Sequence, residues 1–155
     1  MPKYLLVKHY RGGPAPHRPV PTMDRWAPED VDAHMAFLGK VNDLLRETGE
    51  YVDAQAFAPA SSWVRYGGPD AEPVTADAPA DGPLVAGWYF VDVASYERAV
   101  ELAAYVSSEP GPGGSPLYEW IEIREVMEWR PTAERNLPHR PTEVCGAKGC
   151  VRPWA

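Results

Sequence analysis

The chain has 155 residues, long enough for one sizeable core and too short for two. Its 18 prolines and 13 glycines are well above the usual share and imply much loop and tail. A formal charge of -7 with no visible basic patch argues against nucleic acid and anionic membrane as partners. The opening MPKYLLVKHY holds too few apolar residues for a signal peptide or a spanning helix, so a cytoplasmic protein is expected.

Lys3 to Tyr10 reads as a first strand, with Leu5, Val7 and His9 on one face and Tyr4, Leu6, Lys8 and Tyr10 on the other. The stretch from Gly12 to Pro28 is broken by prolines and glycines and is expected to be a long connection. A helix is predicted from Pro28 to Thr48, because Pro28 suits its first position and Gly49 the left-handed residue after its last turn. Its apolar stripe is predicted to be Val31, Met35, Leu38, Val41 and Leu45, with His34 inside that stripe. Tyr51 to Phe57 is a weaker strand, and Trp63 to Tyr66 with Pro73 to Thr75 form a hairpin closed at Gly67 to Asp70.

The stretch AGWYFVDVASYERAVELAAYV, from Ala86 to Val106, reads as a central strand running into a second helix. Tyr89, Val91 and Val93 share one strand face, and Trp88, Phe90 and Asp92 share the other. Ser95 is placed to cap the helix, whose stripe is Ala99, Val100, Ala103 and Val106, leaving Glu97, Arg98 and Glu101 for water. A last strand is expected over Tyr118 to Met127, long enough to pair along much of the sheet. This order is an α+β plan, a ferredoxin-like split βαβ with an inserted hairpin. Both helices would cover one sheet face, leaving Trp88, Phe90 and Trp120 on a bare face that a second copy would bury. Residues 1–129 form the domain, and 130–155 a proline-rich tail.

Several stretches carry a family resemblance: KYLLVKHYRGGPAP, APEDVDAHMAFL, TGEYVDAQAFAP, AGWYFVDVASYERAVELA and PGPGGSPLYEWIEIREVM. With these, the chain resembles the YCII-related family, in the actinobacterial branch that overlaps the DGPF-type proteins. The resemblance implies a ferredoxin-like homodimer whose two sheets meet as an α/β barrel. It also implies cofactor-free chemistry of the dehydrochlorinase or lyase type, with a helix-one histidine and a carboxylate as the acid/base pair. By position the histidine is His34, and the nearest carboxylate after the second helix is Glu109. The segment expected to carry the DGPF signature reads Asp77, Ala78, Pro79, Ala80, a departure from the pattern.

His34 can take and give a proton near neutrality; the bland alternative is a rim histidine bonded to a backbone carbonyl. His9 sits near the end of the first strand, on the helix side of the sheet or at the end of a pocket. Tyr10 and Arg11, with Lys8, could hold an acidic or phenolic substrate or form a solvated edge. Glu122 and Arg124 lie on the side of Trp120, where a buried ion pair across a dimer competes with a substrate role for Arg124. Trp63, Trp88, Trp120, Tyr89 and Phe90 could line an aromatic pocket or simply pack as core.

The tail holds Cys145 and Cys150 with His139 nearby, one ligand short of a four-ligand zinc site. Reduced thiols in a mobile arm are expected, with Trp154 as an anchor to a partner. No phosphate-cradling, dinucleotide or nucleophile-elbow motif occurs, so neither metal nor cofactor is expected. The leading reading is a cofactor-free enzyme moving a proton on an aromatic or polyketide-like small molecule, with His34 and Glu109 catalytic. His9, Tyr10, Arg11, Trp88, Trp120 and Arg124 would hold its substrate. The competing reading is a non-catalytic dimeric module that binds a ligand or joins an assembly.

Overall fold

The computed structural model describes residues 1–14 and 20–127, together with a backbone pairing of Cys145–Gly146 with Gly149–Cys150. The expectations for His139, Trp154 and the tail's thiols lie outside the described residues. The fold is mixed α+β. Strands β1 (Lys3–Arg11), β2 (Tyr51–Ala56), β3 (Ser62–Arg65), β4 (Val74–Asp77), β5 (Leu84–Asp92) and β6 (Glu122–Glu125) alternate with helices α1 (Pro28–Glu47) and α2 (Tyr96–Ser107). Four of the strands make one sheet in the order β2-β5-β1-β6, and every pairing in it is antiparallel. Among the described residues the β3–β4 hairpin pairs only with itself.

One core holds the sheet and both helices together. Tyr4 and Leu6 of β1 and Tyr89 and Val91 of β5 meet Val41 and Leu45 of α1 and Ala99, Leu102, Ala103 and Val106 of α2. Ile121 and Ile123 pack at its margin. Both helices therefore lie on the sheet face that carries Tyr89 and Val91, as strand alternation requires. Leu5, Trp88 and Phe90 point the other way and are only half-buried.

The helix ends follow local chemistry. Pro28 opens α1, with Glu29 and Asp30 in its positive first turn. Gly49 follows its end at φ +73, where a β-carbon would be strained. Ser95 caps α2 by accepting from the Arg98 amide at 3.3 Å.

The structure corrects several details. The buried face of α1 is His34, Val41 and Leu45, backed by Phe37 and Leu44, whereas Met35 is 54% exposed. In α2 the buried position is Leu102 rather than Val100. Arg98 does not face water alone, because its guanidinium grips Glu50 through two bonds of 2.8 and 2.9 Å. The strand expected over Tyr118 to Met127 is four residues, Glu122–Glu125, and among the described residues pairs only with β1. Residues before it bond instead to the end of α2: the Tyr118 amide donates to Ser107 O at 3.0 Å, and the Leu117 amide to Glu109 O at 2.9 Å. No helix among the described residues is long and apolar enough to cross a membrane.

Candidate functional site: a buried acid–base pair and an open cleft

Past the end of α2 the chain folds back on itself, and that fold-back positions Glu109. Pro110 bridges to Pro116, Leu117 is buried, and Ser107 Oγ donates to Glu119 O at 2.7 Å. A tight turn at Pro112–Gly114 docks on α1, where the Gly113 amide donates to Asp30 Oδ1 at 3.0 Å. Gly113 takes φ +68 to make that turn. The α2 end is thereby fixed against the first two turns of α1, which brings Glu109 and His34 together across 75 residues of sequence.

His34 is 3% exposed and Glu109 is fully enclosed. The His34 Nδ1 lies 3.0 Å from Pro110 O; a carbonyl only accepts, so Nδ1 carries the proton. Its Nε2 then offers a lone pair toward Glu109 Oε2, 3.8 Å away, too far for a hydrogen bond. Lys8 of β1 donates to the other oxygen, Glu109 Oε1, and lies 3.5 Å from Glu119. Glu109 Oε2 has no hydrogen-bond partner. The indole of Trp26 stands edge-on to the His34 ring at 5.4 Å.

The electrostatics follow from burial. Loss of water pushes the Glu109 carboxyl up to about 7, against the opposing pull of Lys8. Burial likewise lowers the His34 imidazole, assisted by the charge of Lys8 and opposed by the Pro110 carbonyl. Burial, with Glu109 nearby, also raises the Tyr89 phenol to about 12. Two groups that both prefer neutrality thus face each other, and the site can hold or surrender a proton near pH 7.

On the opposite face of the sheet, His9 Nε2 lies 3.0 Å from Glu122 Oε2. Arg124 Nε donates to Glu122 Oε1 at 2.6 Å. These residues border an open cleft of about 450 Å³ shared with Trp120, Gly13 and Pro83. His9 thus faces away from the helices. Glu122 and Arg124 pair within one chain on an exposed edge, rather than as a buried pair.

The candidate residues consequently divide. His34 and Glu109 come together, and so do His9, Trp120 and Arg124, but the sheet separates the two groups. Tyr10 and Arg11 join neither. Tyr10 Oη donates to Phe57 O at 2.6 Å, and Arg11 donates to Gly82 O and Pro79 O at 3.2 and 3.1 Å. Trp88 is half-buried on the face away from the helices. The aromatic residues do not line one pocket: Tyr89 is core, and Trp63 borders a separate cavity of about 560 Å³ beside the hairpin.

Sequence reasoning grouped Lys8 with Tyr10 and Arg11 and overlooked Trp26. The signal for Lys8 was present, since alternation puts it on the same face as Tyr4 and Leu6, where a lone cation needs a counter-charge. Nothing local pointed to Trp26. Among the described residues no group of three or more His, Cys, Asp or Glu is placed to hold a metal ion. Compared with models of protein families and with curated proteins, the chain matches none.

Proposed function

We propose that this chain is a cofactor-free acid–base enzyme that moves a proton on an aromatic or polyketide-like small molecule, by elimination, isomerisation or cyclisation. The observation that carries the reading is the free Glu109 Oε2 facing His34 Nε2 at 3.8 Å, with Glu109 raised to about 7 and anchored by Lys8. His34 Nε2 is the base that removes a proton from carbon beside a carbonyl. Glu109 stabilises the imidazolium and, when protonated, returns the proton. Both groups are covered in the structure, and Trp26, edge-on to the imidazole and held by an indole bond to Pro21 O at 2.7 Å, is the neighbour that would swing aside in this reading. It follows a short turn, Met23–Arg25, none of whose residues is buried, so displacing it costs little core.

We further propose a ferredoxin-like domain of YCII-related type that pairs with a second copy through the face of Leu5, Trp88 and Phe90. The strand order β2-β5-β1-β6 and the half-buried aromatic residues of that face support it.

The test of the acid–base reading is deuterium exchange in D2O with a panel of β-keto acids, phenolic ketones and β-chloro enoic acids. The wild-type protein is expected to exchange at least one of them. His34→Ala, shown folded by circular dichroism, is expected to lose about 100-fold or more of that rate. Undiminished exchange in His34→Ala would end the reading. A second reading, a non-catalytic ligand-binding module, is favoured by the near-complete burial of the pair, and it is expected to bind panel members without exchange.

A further inference from the structure

The cleft on the helix-free face holds chemistry that the acid–base reading does not use. Glu122 is its hub, and both carboxylate oxygens are already committed, one to His9 and one to Arg124. Arg124 holds that carboxylate down, keeping it ionised. The cleft's carboxylate is thus engaged at both oxygens, and a guanidinium already offsets its charge. Arg124, in contrast, spends only Nε. Its terminal Nη1 and Nη2 make no hydrogen bond to any described residue, and the side chain is 68% exposed. A guanidinium with its terminal fork unspent is matched to a two-oxygen acid.

Beside it Trp120, 49% exposed, presents an apolar ring. Gly13 lies so close to that ring that a β-carbon would stand 2.8 Å from Trp120 Cδ1, and its φ of +109 suits glycine. The bare backbone of Gly13 thus fixes one edge of the indole, while Pro83 adds an apolar wall.

We propose that this cleft, on the edge strand β6 and at the margin of the Leu5, Trp88 and Phe90 patch proposed to meet a second copy, is a second ligand site, separate from His34 and Glu109, that takes a planar carboxylate. The acid group lies on the terminal nitrogens of Arg124, and the ring lies against Trp120. A carboxylate's two oxygens would replace water on those donors, and a flat apolar body would suit the indole.

Titration calorimetry with benzoate as the probe, cyclohexanecarboxylate as its non-planar control and benzamidinium as its cationic control tests the proposal. Wild-type protein is expected to bind benzoate, with cyclohexanecarboxylate weaker and benzamidinium absent. Arg124→Gln and Trp120→Ala are each expected to weaken benzoate about tenfold or more. Trp120→Phe, which retains a ring, should keep most of the affinity, and His34→Ala all of it. Benzoate binding unaffected by Arg124→Gln, or abolished by His34→Ala, would overturn the proposal, as would a preference for benzamidinium or no binding up to about 10 mM. Because His34→Ala removes proton exchange but leaves this site whole, failure of one reading is distinguishable from failure of the other.

Discussion

Replacing Glu109 with glutamine removes a titrating group while keeping its shape, and the consequence is a change in how stability depends on pH. Burial raises the carboxyl from 4.5 to about 7, which at ~1.4 kcal/mol per tenfold change in proton affinity amounts to about 3 kcal/mol. Below 4.5 both the native and the unfolded chain hold the proton. Between 4.5 and about 7 only the native state holds it, so stability falls as pH rises and the loss is complete above that window. His34 acts in the opposite sense, since its depressed pKa costs stability on the acid side, and it does so in both proteins. Glu109→Gln leaves Lys8 with Glu119 at 3.5 Å, a largely pH-independent offset. The difference in unfolding free energy, variant minus wild type, is therefore expected to move in the variant's favour by about 3 kcal/mol between about pH 4 and about pH 8. Urea unfolding at several pH values measures it. A difference that stays flat within about 0.5 kcal/mol would refute the account of Glu109 as a buried, reluctantly charged carboxylate.

Trp26→Ala should let water reach His34 and move its pKa upward toward 6.5, because burial is the first cause of its depression; an unchanged imidazole titration by NMR would show that Trp26 is not its cover. At Gly87 a β-carbon would meet Gln55 O at 2.4 Å and Ala56 Cα at 3.1 Å, so Gly87→Ala must part β2 from β5. A loss of about 1–3 kcal/mol is expected in urea unfolding, and a neutral result would mean that the edge strand yields freely. Phe90→Asp puts a charge on the face proposed to meet a second copy. Sedimentation should show a dimer for the wild type and a monomer for the variant, and equal sedimentation of the two would remove that interface.

Much of the fold was legible because it rests on local rules. Alternation along β5 separated Tyr89 and Val91 from Trp88 and Phe90, and Ser95, Pro28 and Gly49 marked helix ends through backbone chemistry that needs no distant partner. Periodicity was less exact around a helix than along a strand. A stripe of about 100° tolerates rotation, so Met35 and Val100 were given places that Phe37 and Leu102 hold. The last strand is shorter than its alternation from Tyr118 suggests, because the Tyr118 amide is claimed by Ser107 at the end of α2, next to the bond from the Leu117 amide to Glu109.

The candidate site divides along the same line. The sequence by itself singled out His34, for its imidazole, and only the family resemblance added a carboxylate after the second helix, at Glu109. It also placed His9 near the end of the first strand, and Trp120 and Arg124 on one face of the last strand. Only the tertiary structure decided that the first two meet, through the docking of the Pro112–Gly114 turn on Asp30, and that Lys8 completes them. It also decided that His9 lies not on the helix side but with Trp120 and Arg124 on the far side of the sheet. The physical reason is range: hydrophobic period and caps act over one or two turns of chain, whereas the protonation of Glu109 depends on water excluded by segments distant in sequence.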